Sequence, residues 1–398
     1  MATLLYPEGI EITGSTEKAL EATAVYMQKD DCTLFAGAFL CDGFLARVDI
    51  LVKKGNRIDL IEVKSFSASA AASASKIAES YVRDITFQAM VLRKLYPDAD
   101  IHCTIACVNK DKVNTVDDMA RWFRVEETVS HAKSTSDSAS SEANANPRPR
   151  SWTHIKVMFD GDLARLQQEH LLWFINVDER VKKMLPDVSR RAAELLHVAD
   201  NAEKPAPVRA LRCKDCPHRV AAGTDPAGLA ECWGADAERA TILDVVNVGN
   251  LNRPTKDNGG TCAIDVMIEG GKITKLDLAA SGLVEKTADN GRVYMDIHET
   301  PEQADAVFTD ALASLRYPLH FVDFETSGSA IPPVAGLKPF ESVAFQWSCH
   351  TVRSPTAEPE HAEWIDLQQP YPSADCARAL LRHMHSFGDR GTMMTWSA

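Results

Sequence analysis

Apolar and polar positions alternate most regularly between Ala46 and Ser65, where the chain reads ARVDILVKKGNRIDLIEVKS. A period of two is typical of β-strands, and Lys-Gly-Asn at 54–56 predicts a tight turn between two of them. Side chains two residues apart on a strand share a face, so Glu62 and Lys64 lie together. Asp49 is near the start of one arm and Glu62 near the end of the other. The hairpin therefore brings two carboxylates and one ammonium to one place.

Helical and strand patterns flank this hairpin. Ser15 is a predicted N-cap, and an apolar stripe predicts a helix from Thr16 to about Lys29. A second helix is predicted from about Lys76 to Leu95, before Pro97. Further predictions are strands over 33–39 and 101–108, a disordered insertion rich in Ser, Ala, Asn and Pro over 130–150, and mostly helical structure over 152–200 that Pro186 breaks in two.

Strand-like pieces and turns dominate the prediction after residue 241. Strands are expected over 262–268 and 293–297, and a capping box at Thr300 predicts a helix that ends before Pro318. The apolar strand LHFVDFET follows, with Asp323 and Glu325 on one face. Such a pair can hold metal ions for attack on a phosphodiester. The alternative is a strand that simply ends in acidic residues.

The charged ends of the hairpin carry the first candidate chemistry. Asp49 and Glu62 interrupt apolar strands, and a buried charge needs a partner or a metal ion. Two carboxylates can hold a hard divalent ion such as Mg²⁺ or Mn²⁺, which polarises a phosphoryl oxygen. The Lys64 ammonium can orient water and offset developing charge. The alternative is an ordinary hairpin with charged residues at its surface.

A cysteine cluster is the second candidate site. Cys213 and Cys216 form a CxxC pair, and Cys232 follows downstream. Thiolates so close together can chelate one centre. The residues leave open a zinc site with His218 as fourth ligand, a redox pair, and free thiols. Five basic residues in the same stretch are either phosphate contacts or a solvated patch: Lys204, Arg209, Arg212, Lys214 and Arg219.

Net charge, hydropathy and cysteine content limit the class of protein to which this chain can belong. The 398 residues carry a net charge of −13, which argues against a generally basic nucleic-acid coat but permits a local basic groove. No apolar run is long enough to span a bilayer, and the start, MATLLYPEGIEI, lacks the pattern of a secretory signal. Ten cysteines without such a signal indicate a reducing compartment, hence a cytoplasmic protein with no membrane partner.

Four stretches together resemble known nucleases. They are FLARVDILVKKGNRIDLIEVKSFS, YVRDITFQAMVL, RCKDC with a later ECW, and FVDFETSGSAIP with FQWSCH. The first two are similar to the PD-(D/E)xK nucleases of the RecB type. The whole set resembles an uncharacterised bacterial family, a domain of unknown function, that joins such a module to a DEDD exonuclease-like, RNase H-like region. The resemblance implies a restriction-endonuclease-like α/β core with a helical cysteine-cluster extension and part of an RNase H-like domain.

The resemblance implies roles for the residues of the first module. Asp49 and Glu62 match metal ligands, Lys64 matches the residue that positions the attacking water, and Gln88 matches a helix residue that supports the site. Relatives often carry a glutamate about where Ala36 stands, and that residue can assist the metal.

The resemblance also assigns the two later sites. Cys213, Cys216 and Cys232 match the three late ligands of a [4Fe–4S] cluster whose early cysteine would precede residue 1. Asp323 and Glu325 match the first two acids of a two-metal exonuclease site, which needs two further acids and a general base. Because homologues extend in both directions, we expect this chain to be truncated at both ends and its exonuclease-like region to be inert.

These observations predict a nuclease that hydrolyses phosphodiester bonds of nucleic acid with Mg²⁺ or Mn²⁺, with DNA favoured and RNA as the alternative substrate, in repair or in defence. The alternative is a degenerate nuclease fold that binds nucleic acid or acts as a scaffold. The predicted organisation is a nuclease core over 1–129, the insertion over 130–150, a helical segment with the cysteine cluster over 151–240, a β-rich connector over 241–299, and the exonuclease-like part over 300–398.

Overall fold

The computed structural model describes residues 1–69, 74–131, 151–201, 206–216, 219, 228–238, 241–252, 262–284, 293, 306–388 and 390–395. The chain divides into two compact units, Met1–His197 with Leu315–Ala398, and Val198–Ser314. Helices and mixed sheets confirm the predicted α/β class. Within those ranges, no helix is both long and apolar enough to cross a membrane.

A six-stranded sheet forms the centre of the first unit. In spatial order its strands are β1 Ile10–Glu11, β2 Asp31–Cys41, β3 Phe44–Lys54, β4 Arg57–Ala68, β5 Asp100–Asn109 and β8 Leu172–Asn176. β2, β3 and β4 are antiparallel neighbours, β4 pairs in parallel with β5, and β5 pairs antiparallel with β8. The predicted hairpin is confirmed, because Lys54 pairs with Arg57 across a two-residue turn.

Two predicted helices contribute to one core against this sheet. Helix α1 spans Thr16–Met27, and the Ser15 hydroxyl caps it by accepting the Lys18 backbone N–H at 3.4 Å. Helix α2 spans Glu79–Leu95 and begins slightly later than predicted. Four of its six buried apolar side chains follow the spacing of three and four residues that an amphipathic helix requires: Val82, Ile85, Ala89 and Leu92.

Strand β3 changes face at Asp49. Val48 and Leu51 belong to the core that the helices cover, whereas Ile50 belongs to a separate apolar cluster. Regular alternation would put Val48 and Ile50 on the same side. Asp49 is therefore exposed although both of its neighbours in sequence are buried.

Ala36 stands opposite Asp49 on the neighbouring strand β2, between two regularly paired positions. Its φ is +53°, in the left-handed region that residues with a Cβ rarely adopt. Such a conformation costs an alanine about 1–2 kcal/mol. The backbone is thus locally strained next to the predicted site.

The segment that follows β5 has more strand than predicted. β6 Phe123–His131 and β7 Ser151–Phe159 pair as an antiparallel ribbon. A short helix, α3 Leu163–Glu169, precedes β8. Residues 130 and 131 of the predicted disordered insertion belong to β6, and the rest of that insertion lies outside the described residues.

A single helix, α4 Asp178–Asn201, runs through Pro186. The prediction that Pro186 divides this segment into two helices is wrong. A proline removes one hydrogen bond of a helix, and here tertiary packing of the apolar stripe maintains the helix on both sides. The buried residues of that stripe are Val181, Val188 and Ala192.

Short helices form the second unit. They are α5 Gly228–Trp233, α6 Ala263–Glu269, α7 Lys275–Ala280 and α8 Ala306–Ser314. The strand predicted over 262–268 is wrong, because α6 occupies it; its buried residues, Ala263, Ile264, Met267 and Ile268, recur with the helical period.

The described residues of this unit do not form the predicted β-rich connector. They contain one isolated β-bridge, between Thr241 and Thr274. Of the strand predicted over 293–297, only Val293 is described, and it is buried in the core of the unit. The predicted capping box at Thr300 lies outside the described residues.

A four-stranded sheet forms the last part of the first unit. Its strands are β9 Leu319–Ser327, β10 Val343–Val352, β11 Glu360–Ile365 and β12 Thr392–Thr395, in the order β11-β10-β9-β12. β10 is antiparallel to β9 and β11, and β12 is parallel to β9. Helix α9 Ser373–His385 packs against β9 and β10 through a small core. The strand predicted in LHFVDFET is confirmed as β9.

Asn114 joins the loop after β5 to the loop between β9 and β10. It is 1% exposed, and its Nδ2 donates to the carbonyls of Val116 at 2.6 Å and Val334 at 3.2 Å. Its backbone N–H donates to Leu337 at 2.8 Å, and its carbonyl accepts the Gly336 N–H at 2.8 Å. These bonds satisfy buried polar groups of both loops, so the two sheets of this unit are joined by specific contacts.

Replacing Ala36 with glycine tests the strain beside Asp49. We expect Ala36→Gly to raise the free energy of unfolding by roughly 1 kcal/mol or less, because glycine adopts a positive φ without a Cβ clash but gains entropy when unfolded. Ala38→Gly, at a buried position of the same strand, is the matched control and should lower stability. Urea unfolding followed by circular dichroism measures both, and a destabilised Ala36→Gly would show that no strain is released.

Candidate active site

Glu62 is the buried carboxylate at the centre of the candidate active site. It is 6% exposed, and it lies on β4 where α2 packs. Lys64 Nζ lies 2.8 Å from Glu62 Oε1, and Gln88 Nε2 donates to Glu62 Oε2 at 2.8 Å. Each carboxylate oxygen therefore has a donor, as a buried charge requires. The structure brings these three predicted residues together.

The electrostatic environment of Glu62 opposes its ionisation. Burial raises the pKa of Glu62, hydrogen bonds from Lys64 and Gln88 lower it less strongly, and the nearby charge of Asp49 raises it again. Asp49 itself is exposed, and its Oδ2 accepts the backbone N–H of Val63 at 2.8 Å. The fourth predicted residue thus lies beside Glu62, where the hairpin prediction put it.

Lys64 is held between two carboxylates. Its Nζ donates to Asp84 Oδ2 at 2.7 Å as well as contacting Glu62, and it lies 5.5 Å from the centre of the Tyr81 ring. Burial disfavours the ammonium, but the hydrogen bonds to Asp84 and Glu62 outweigh it and raise the pKa of Lys64. Lys64 is therefore a fixed cation that can donate hydrogen bonds, and it is not suited to accept a proton.

Gln88 has one polar atom without a partner. The side chain is 8% exposed, and its Oε1 is buried without a hydrogen bond, although Nε2 is bound to Glu62. A buried amide oxygen left unpaired costs about 1–3 kcal/mol. The unpaired Oε1 of Gln88 therefore lies next to the Glu62 carboxylate.

Asp49 and Glu62 offer carboxylate oxygens near each other, and Gln88, bound to Glu62, offers an open carbonyl oxygen. Mg²⁺ and similar hard ions bind through one or two carboxylates and keep several waters. The donor set therefore fits Mg²⁺ or Mn²⁺. Within the described part of the chain, no three His, Cys, Asp or Glu side chains are grouped as metal ligands.

A cleft of about 400 Å³ opens beside Glu62 and Gln88. Its basic residues come from three separate elements, so no local sequence pattern brings them together. Arg47 precedes Asp49 by two positions on β3, whereas Arg191 lies far away in sequence on α4. Its walls consist of Leu45, Ala46, Arg47, Arg83, Asp84, Phe87, Asp187, Val188, Arg191, Ala192 and Leu195.

The three predicted cysteine ligands lie around one small pocket in the second unit. Cys213, Cys216 and Cys232 line a space of about 20 Å³, which has room for a single small species. The thiols do not form a metal-ligand group in the described residues. His218 lies outside those residues. The structure therefore shows three neighbouring thiols and not a complete ligand set.

Several basic residues of this stretch have partners inside the second unit. Arg209 donates to the Cys232 carbonyl at 3.2 Å and to Asp236 at 2.9 Å, and Arg219 donates to Asp244 at 3.1 Å. Lys214 donates to the Val245 carbonyl at 3.3 Å. These contacts favour structural roles over phosphate contacts for Arg209, Lys214 and Arg219.

Asp323 and Glu325 lie exposed on β9. Asp323 pairs with Ser348 across the sheet, and Glu325 pairs with Gln346. On the next strand Glu363 pairs with Ser348, so the same row holds another acid. Strands are about 4.8 Å apart, so the backbones of Asp323 and Glu363 are two strand spacings apart.

The comparisons with known proteins cover only the end of the chain. A family model described as "Domain of unknown function (DUF2779)" matches residues 320–398, the part that contains β9 to β12. Neither the curated proteins nor the solved structures contain a match.

Metal binding without nucleic acid tests the oxygen donor set. We expect Mn²⁺ to bind the wild-type protein and Gln88→Ala to weaken that binding about 10- to 100-fold, the usual effect of losing a group that orients a ligand. Glu62→Gln should abolish it. Glu79→Gln changes an exposed acid at the start of α2 and should have no effect. Electron paramagnetic resonance of free Mn²⁺ measures the binding, and equal affinity in all four proteins would rule out this site.

Proposed function

We propose that the protein is a metal-dependent nuclease that hydrolyses phosphodiester bonds. The observation that carries this proposal is the buried carboxylate of Glu62, which Lys64 and Gln88 hold beside Asp49. Buried acids with perturbed pKa values beside a cleft are typical of active sites. The expected substrate is DNA, and RNA is the second choice.

The topology of the first sheet supports this proposal. Helix α1, the antiparallel strands β2, β3 and β4, helix α2 and the parallel strand β5 follow one another along the chain. The resemblance to PD-(D/E)xK nucleases predicts an α/β core and a helix that carries Gln88 to the site. Fold alone does not define function, so the proposal depends on the site residues.

Each site residue has a role that its geometry allows. Asp49 and Glu62 would hold the Mg²⁺ or Mn²⁺ ion, with the free Oε1 of Gln88 turned to the ion or to its water. The ion supplies charge that polarises a phosphoryl oxygen and favours hydroxide. Lys64 remains protonated, orients the attacking water, and offsets charge that develops on the phosphate. Asp84 fixes the position of the Lys64 ammonium.

The second sheet supports a nuclease-like region of another type. The order β11-β10-β9-β12, with β12 parallel to β9 and a helix between β11 and β12, is compatible with the front part of an RNase H-like domain. Asp323 and Glu325 on β9 are the residues that would begin a two-metal site. We propose that this part does not contribute to hydrolysis in this chain.

We also propose that the cysteine cluster binds a metal. A zinc ion suits the small pocket that Cys213, Cys216 and Cys232 line, whereas the resemblance favours a [4Fe–4S] cluster. All ten cysteines are free thiols, which agrees with the cytoplasmic location that we propose.

A binding protein with a degenerate nuclease fold is the second candidate. Ala36 favours it, because this residue stands opposite Asp49 and contributes no carboxylate where relatives carry glutamate. The intact set of Asp49, Glu62 and Lys64 favours the enzyme.

Cleavage assays with Lys64→Ala test the enzyme. We expect wild-type protein to cut DNA with Mg²⁺ or Mn²⁺, and the rate to fall at least about 100-fold in Lys64→Ala, as when one electrostatic donor is lost. Lys94→Ala is the matched control, because this residue lies on α2 and pairs only with exposed Asp42 among the described residues. Thermal unfolding of all proteins separates loss of chemistry from loss of fold.

The form of the result distinguishes the candidates. Product lengths separate internal cutting from cutting at ends, and parallel RNA substrates test the preference for DNA. Metal-dependent binding without any cutting would favour the degenerate fold, and cutting that survives in Lys64→Ala would remove this site from the mechanism.

Metal analysis tests the cysteine cluster. Anaerobically purified protein should contain about one zinc or about four irons per chain. The double variant Cys213→Ser/Cys216→Ser should lose that metal. The control Cys376→Ser should retain it, because Cys376 is buried beneath the four-stranded sheet of the first unit. Neither metal above trace levels would show that the three residues are ordinary thiols.

A further inference from the structure

We infer that the cleft between α2 and α4 binds one unpaired nucleotide of a single-stranded nucleic acid, with arginines on its phosphates and an apolar wall against its base. This inference rests on the proposed function, because it identifies the part of the substrate that lies next to the reacting phosphate.

The cleft has the position and size that this role requires. Glu62 and Gln88 form part of its lining, so anything bound in it is adjacent to the candidate metal site. Its volume of about 400 Å³ is in the range of pockets that enclose a small organic group. All of its lining residues belong to the first unit.

Two arginines of the cleft are available for an anion. Arg47 on β3 and Arg191 on α4 have no ion-pair partner among the described residues. Arg83 on α2 pairs with Glu79 at 2.6 Å, and both side chains are more than half exposed. An exposed pair of this kind is worth at most about 1 kcal/mol, so a phosphate can replace Glu79. Three guanidinium groups can thus reach one cleft.

The acids in the cleft walls are already engaged. Asp187 pairs with Arg190 at 2.6 Å, and Asp84 pairs with Lys64 at 2.7 Å. These pairs reduce the repulsion that an incoming phosphate meets. Arg190 and Arg191 are neighbours on one helix, but only Arg190 has ion-pair partners among the described residues. Arg190 is held by Asp187 and Glu194.

Apolar side chains line the same cleft beside these charges. Leu195 is 66% exposed and Leu45 is 41% exposed, and Phe87 lies with them in the lining. Large apolar side chains are rarely placed together on a free surface without a partner. In a duplex the faces of the bases are stacked inside the helix, whereas an unpaired base offers its face to apolar or aromatic side chains. The combination with arginines therefore favours a single strand over a duplex.

Equilibrium binding to a labelled oligonucleotide in EDTA and low salt tests this inference without any cutting. We expect the single strand to bind more tightly than the duplex of the same sequence. Arg47→Ala and Arg191→Ala should each weaken binding about five- to tenfold and flatten the dependence of log Kd on log salt by about 0.7, the value for one phosphate contact of a single strand. Arg190→Ala should weaken binding less, by no more than about twofold, because Arg190 itself does not line the cleft and acts there only through its exposed pair with Asp187.

The apolar wall is tested separately. Leu195→Ser should weaken binding of the single strand without changing its salt dependence, because no charge is lost. An oligonucleotide without bases should bind wild type and Leu195→Ser equally. Leu195 is largely exposed, so this substitution is not expected to disturb the fold.

The results separate this inference from the proposed function. If Arg191→Ala and Arg190→Ala bind alike, or if the duplex binds as tightly as the single strand, the inference is wrong even where wild type cuts DNA. If the arginine variants lose binding as expected but wild type cuts nothing with Mg²⁺ or Mn²⁺, the cleft binds nucleic acid and the nuclease proposal fails.

Discussion

The burial of one carboxylate constrains the first unit. Taking Glu62 out of water costs several kcal/mol, and the cost is recovered only through well-placed partners. One partner, Lys64, comes from the same strand, and the other, Gln88, comes from α2. The buried charge therefore adds one specific contact to the apolar packing of the helix on the sheet. A well-packed apolar residue would usually be no less stable at such a position, so this expensive arrangement is better explained by chemistry than by stability.

Much of the candidate active site could be predicted, because the positions of its residues follow from the periodicity of neighbouring stretches of sequence. The alternation from Ala46 to Ser65 determined the hairpin, and the hairpin alone placed Asp49 near Glu62. Helix α2 buries one face in the structure, and Gln88 lies on that face. That Gln88 would support the site came from the resemblance, since periodicity does not show which strand a helix covers.

Other features depend on contacts that the local sequence does not contain. The change of face at Asp49 requires the left-handed Ala36 on the neighbouring strand, and alanine gives no signal for that conformation. The continuous helix through Pro186 reflects packing that outweighs one missing hydrogen bond. The stretch from Ala263 to Glu269 was expected as a strand because a short apolar run fits both strand and helix, and the buried positions alone reveal the helical period.

The charges around the cleft connect metal binding with substrate binding. Four acids, Asp49, Glu62, Asp84 and Asp187, face four bases, Arg47, Lys64, Arg83 and Arg191, so the region is balanced although the whole chain carries −13. A divalent ion held by Asp49 and Glu62 would make this region positive. In the proposed nuclease, binding of the ion then raises the affinity for nucleic acid. Thermodynamic linkage requires that bound nucleic acid raise the affinity for the ion by the same factor. An acidic protein could in this way have a higher local affinity for a polyanion where its metal is bound.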